Sequence, residues 1–60
     1  MKYGEFRRWL LSQGVELIKS PGGSSHYKAR YNGRQSVVPF HGAKEIPEGL
    51  RKKILKDLGL

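Results

Sequence analysis

The sequence predicts a small α+β fold with the element order α-β-β-β-α. Three observations predict it. Apolar and amphipathic residues recur at helical spacing near the N-terminus and again near the C-terminus. The segments between them alternate apolar with polar side chains, as half-buried strands do. An Asn32-Gly33 pair divides two of those segments where a tight hairpin turn belongs.

A first helix is expected over Tyr3 to Gln13, with Tyr3, Phe6, Trp9 and Leu10 on one face and Arg7 and Arg8 directed away from it. Gly4 is an acceptable N-cap residue, and Gly14 stands where a left-handed residue commonly ends a helix. Val15 to Lys19 alternates through Val15 and Leu17 and reads as a first strand, and Ser20-Pro21-Gly22-Gly23-Ser24 is a loop by composition. The second strand, Ser25 to Tyr31, turns Tyr27, Ala29 and Tyr31 to one face and His26, Lys28 and Arg30 to the other. Asn32 and Gly33 both tolerate positive φ, so a type I′ turn can lead into a return strand from Arg34 to Pro39. A two-residue turn sets Tyr31 opposite Arg34 and His26 near Pro39. A three-residue bulged turn would shift the third strand by one residue and exchange its faces. Both registers are compatible with the sequence.

Phe40 to Glu45 is a connection to a second helix, with Pro47 in its first turn. Leu50, Ile54, Leu55 and Leu58 form its apolar stripe, and Gly59 ends it. Glu48 falls near the positive end of its dipole, Lys53 and Lys56 near the negative end. Two helices on one face of a three-stranded antiparallel sheet leave the other face in water. That order and layering is that of a double-stranded-RNA-binding-like fold, expected here as one domain over residues 1–60.

Composition narrows the chemistry. A chain of 60 residues buries only about 60% of the surface its unfolded form exposes, so the core must be simple. The absence of Cys removes disulfides, thiolate zinc sites and thiol nucleophiles, and fits a reducing cytoplasm. The charged start Met1-Lys2-Tyr3-Gly4-Glu5-Phe6-Arg7-Arg8 opens no apolar run, so neither a secretory signal nor a membrane span is expected. A soluble, cytoplasmic protein is the expectation. Twelve Lys and Arg against five acids give a net charge of +7, a dense positive field for which nucleic acid is the common polyanionic partner. An anionic membrane surface fits less well, since neither helix combines a continuous basic face with a large apolar one. Glu5, Glu16, Glu45, Glu48 and Asp57 are scattered, so neither a two-metal centre nor any other metal or cofactor is expected. No G-x-x-x-x-G-K loop is present.

The second strand carries the most chemistry. His26, Lys28 and Arg30 share a face at two-residue spacing. Two permanent cations disfavour a third charge beside them, so a neutral His26 imidazole, able to act as a general base, is expected near pH 7. RNA offers a 2′-hydroxyl whose deprotonation lets it attack its own 3′-phosphate, and the cations would stabilise the charge gathering there. Ser24 and Ser25, with Gly22 and Gly23, form either a phosphate cradle or a plain loop. His41 is either a loop histidine or an auxiliary proton donor to the leaving oxygen. Arg51-Lys52-Lys53 reads as a solvated helix face, and Tyr3, Phe6 and Trp9 as core.

Across essentially all sixty residues the sequence resembles the HicA family of toxin mRNA interferases. The parts that carry this are Glu5-Phe6-Arg7-Arg8-Trp9-Leu10 followed by Gly14, then Gly23-Ser24-Ser25-His26, then Val37-Val38-Pro39-Phe40-His41, and finally Leu50 through Leu60. The resemblance implies the double-stranded-RNA-binding-like fold, ribosome-independent mRNA cleavage, and neutralisation by a HicB antitoxin covering the active surface. It maps the family's catalytic histidine onto His26 and a frequent second histidine onto His41. Ser25 stands between Ser24 and His26, where many members have Gly-Ser-His directly. A non-catalytic module that binds double-stranded RNA by shape is the alternative use of the same fold.

Overall fold

A computed structural model describes residues 1–19 and 26–60. Helix α1 (Tyr3–Ser12) is followed by strands β1 (Glu16–Lys19), β2 (His26–Tyr31) and β3 (Arg34–Pro39), and by helix α2 (Glu48–Leu58). The strands form one antiparallel sheet in the order β1-β2-β3. The expected α-β-β-β-α architecture is therefore the observed one.

The hairpin settles the register. Asn32 and Gly33 have φ of 51° and 78°, which a two-residue type I′ turn demands of both central residues. Pairing then runs without a bulge from Tyr31↔Arg34 to His26↔Pro39. On the other side of β2, Glu16 pairs with Arg30 and Lys19 with Tyr27. The face bearing Ala29 and Val38 is buried, and both helices lay their apolar stripes on it. Tyr3, Phe6 and Leu10 of α1, Ile54 and Leu58 of α2, and Val15 and Ile46 from the connections complete one core cluster. Ile46 was not part of either expected stripe. It is buried because its N–H donates to the Met1 carbonyl (2.9 Å), which draws the connection against the chain start.

Three expectations need correction. The N-cap of α1 is Lys2, not Gly4. The Lys2 N–H donates to Glu5 Oε1 (3.0 Å), while the N–H groups of Tyr3 and Gly4 donate to the carbonyls of Lys44 and Gly42 (3.0 and 3.1 Å). Donors of the first turn are thus satisfied by a distant connection, and no short polar cap is required. Pro47 occupies the N-cap of α2 rather than its first turn. Arg7 does not point away from the core. It lies four residues after Tyr3 and three before Leu10, at the margin of the buried stripe. There its guanidinium sits 5.4 Å from the centroid of the Tyr27 ring, with Nε buried and without a hydrogen-bond partner. Arg8 is exposed as expected.

Candidate nucleic-acid interface

Strand β2 is hydrogen-bonded along both edges, so the direction of each side chain is set by the pleat. Tyr27, Ala29 and Tyr31 turn towards the helices; His26, Lys28 and Arg30 turn to the open face, and all three are exposed. Successive members of that column are about 6.7 Å apart at a strand rise of about 3.3 Å per residue. The register adds neighbours that periodicity alone does not supply. Lys28 lies between Ile18 and Val37, both exposed apolar residues, and Arg30 lies between Glu16 and Gln35.

Charge on this face is largely uncompensated. Among the described residues Lys28 has no ion pair. Arg30 approaches Glu16 only loosely, at 4.0 Å between two side chains that are each more than half exposed. Such a contact in water contributes little. The cations of α2 differ: Lys52 is 3.1 Å from Glu48, Lys53 is 2.9 Å from Asp57, and Arg51 is 3.9 Å from Glu48. That helix carries its own counter-ions, in keeping with a solvated face.

His26 opens β2 opposite Pro39, at the end of the sheet where β1 and β2 are joined through residues 20–25. Ser24 and Ser25 lie outside the described residues. His41 is exposed beyond the end of β3, and its ring meets Tyr3 of α1 edge-on, at 5.0 Å and 83°. The structure thus brings His26, Lys28 and Arg30 together on the open face and engages His41 with the first residue of α1. Beneath the start of β2, Tyr27 is held by Phe40 (5.8 Å, edge-on) and by the Arg7 guanidinium. Arg7 is the residue that reading the sequence misplaced. Its i+4 spacing from Tyr3 was the available signal, masked by the habit of assigning arginine to solvent.

At the opposite, hairpin end of the sheet a cleft of about 490 Å³ opens between Glu16, Arg30, Gln35 and Arg34, closed by the Asn32-Gly33 turn. The two carboxyls with displaced ionisation lie elsewhere. Hydrogen bonds from Lys53 and then Ser36 hold Asp57 below the usual aspartate range, and the N-terminal ammonium does the same to Glu45. Among the described residues no three His, Asp or Glu side chains form a group that could hold a metal ion, and no helix is long and apolar enough to cross a membrane.

Comparison with known proteins places this geometry. A family model described as "HicA toxin of bacterial toxin-antitoxin" matches residues 3–60. A Pseudomonas fluorescens protein named "Probable mRNA interferase HicA" is 60% identical over 60 residues, covering all of this chain and 97% of its own length. An Escherichia coli K12 protein named "Probable mRNA interferase toxin HicA" is 58% identical over 60 residues, covering all of this chain and 98% of its own. A chain in the crystal structure of the E. coli HicAB toxin-antitoxin complex superposes with a TM-score of 0.84 at 57% identity, covering 97% of this chain and 96% of that one. Identity this high runs through both helices and all three strands, and on that ground the chain belongs to the HicA toxin family.

Proposed function

We propose that this chain is the toxin of a HicAB-type toxin–antitoxin pair and cleaves mRNA as an endoribonuclease, residues 1–60 acting as one domain. The observation that carries the reading is the exposed column of His26, Lys28 and Arg30 on the open face of the sheet, in a chain whose relatives are named mRNA interferases. His26 is the catalytic residue. Its imidazole removes the proton of a ribose 2′-hydroxyl, and the resulting oxygen attacks the adjacent phosphorus and displaces the 5′-oxygen of the next nucleotide. Lys28 and Arg30 hold the RNA backbone and offset negative charge as the phosphorane forms. Ser24 and Ser25, next to His26 in sequence, belong to the RNA-binding set, and His41 is the candidate donor of a proton to the departing 5′-oxygen.

Base and electrostatic stabilisation both come from side chains, so cleavage is expected to persist in EDTA. The proposed inhibitor is a HicB-type antitoxin whose acids meet the same open face, covering the base and the RNA-binding cations together. Cytoplasmic mRNA is the proposed substrate.

Purified protein incubated with mixed RNA, with and without EDTA, tests the proposal. Wild type should cleave in both, and His26→Ala should lose about 10²- to 10⁴-fold in rate. An exposed histidine contributes little packing, so the variant should keep the wild-type circular dichroism spectrum. Binding without cleavage by wild type would point to the non-catalytic module. Cleavage by His26→Ala at near wild-type rate would remove His26 from the mechanism.

A further inference from the structure

We propose that the cleft at the hairpin end of the sheet is a nucleobase site, which takes a purine of the bound RNA and thereby selects where the chain is cut. The inference deepens the endoribonuclease reading and rests on it. Glu16, Arg30 and Gln35 form one register row across all three strands, each exposed on the open face that also carries His26. Arg34 and the Asn32-Gly33 turn close the end of the cleft, whose volume of about 490 Å³ is that of a small-molecule site.

The lining chemistry distinguishes a base from a phosphate. Phosphate is suited by donors alone, and the Glu16 carboxylate would repel one lodged inside the cleft, as distinct from one passing along β2 outside it. A base edge presents donors beside acceptors. Here Glu16 only accepts, Arg30 only donates, with N–H groups enough for a base edge and a flanking phosphate together, and the Gln35 amide does both. Glu16 Oε1 and the nearest Arg30 guanidinium nitrogen are 4.0 Å apart, too far for a direct hydrogen bond, so both keep their bonding capacity for a ligand. Purines match this set through N7 and the substituent at C6, which an arginine fork or an amide side chain can engage in pairs. Pyrimidines lack N7.

The walls are also held in place. Arg30 is paired on both sides, with Glu16 of β1 and with Gln35 of β3, and the Asn32-Gly33 turn ties β2 to β3 beside that row. Arg30 is two side-chain steps along β2 from His26, about 13 Å at the usual strand rise. A short single strand with its bases splayed can span that distance, which places the base in the cleft at a fixed offset from the bond next to His26.

Cleavage sites in a randomised RNA pool, mapped for wild type, Gln35→Ala and Glu16→Gln, read the proposal directly. Wild type should show purine enrichment at one fixed offset from the cut. Each variant should lose roughly five-fold or more of that enrichment, as expected for removal of a paired hydrogen bond to a base. A second arm needs no cleavage: oligoadenylate and oligouridylate of equal length are titrated onto the His26→Ala chain with and without Gln35→Ala. The purine preference should fall when Gln35 is replaced. Cleavage with no positional purine bias, or a bias and binding ratio unchanged in both variants, overturns the cleft assignment alone. Failure of wild type to cleave overturns the endoribonuclease reading, and the binding arm still decides whether the cleft takes a purine.

Discussion

Replacing Lys28 by alanine removes, from the centre of the open face, a cation that no described acid neutralises. If RNA lies along β2, each cation–phosphate interaction removed should lower the slope of log affinity against log salt by about 0.7 on single strands. Between about 50 and 200 mM salt that is a four-fold change in ionic strength, so each such interaction accounts for about a 2.6-fold fall in affinity over the interval. Lys28→Ala should flatten the dependence by that factor. Arg30→Ala should do nearly the same, because its 4.0 Å approach to an exposed Glu16 neutralises it only weakly. The double variant should lose about 1.4 in slope, or about seven-fold over the interval. Lys53→Ala is the control, since Lys53 already donates to Asp57 at 2.9 Å on α2. Fluorescence anisotropy with labelled single-stranded RNA provides the measurement, in a His26→Ala background so that the probe stays intact. Unchanged slopes in both β2 variants, or an equal loss in Lys53→Ala, would refute the placement of RNA on the open face.

Two further outcomes concern the scaffold. Leu10 is fully buried whereas its neighbour Leu11 is 46% exposed. Leu10→Ala should therefore cost about 2–5 kcal/mol, close to the whole stability of about 3–9 kcal/mol expected for this length, and Leu11→Ala about 0.5 kcal/mol or less. Thermal melts that shift both equally would show the buried face of α1 to be misassigned. Asp57 links α2 to β3 by accepting hydrogen bonds from Lys53 (2.9 Å) and Ser36 (3.0 Å), which lower its ionisation below the usual aspartate range. Its folded-state value is depressed, so its contribution is present above the unfolded value and is lost as pH falls through the folded one. Asp57→Asn should accordingly flatten the acid limb of the stability curve, and denaturant titrations between neutral and acid pH in which both proteins decline in parallel would contradict that role.

Much of the fold and the shared face of the candidate site were legible because they depend on local rules. Helical and strand periods read off adjacent residues set the element order, Asn32-Gly33 carries its turn preference within itself, and the two-residue repeat puts His26, Lys28 and Arg30 on one face whatever pairs with them. The full-length family resemblance was likewise a property of the residue string. Tertiary structure decided what depends on segments distant in sequence. It chose the bulge-free register, and with it the neighbours of Lys28 and Arg30. It docked the chain start on residues 42–46, which moved the helix cap to Lys2 and buried Ile46. It folded Arg7 over Tyr27 and set Glu16, Arg30 and Gln35 in one row above a cleft. Periodicity specifies which way a side chain points, but a neighbour across the sheet is selected by chain pairing and packing, to which residues far apart in the sequence contribute together.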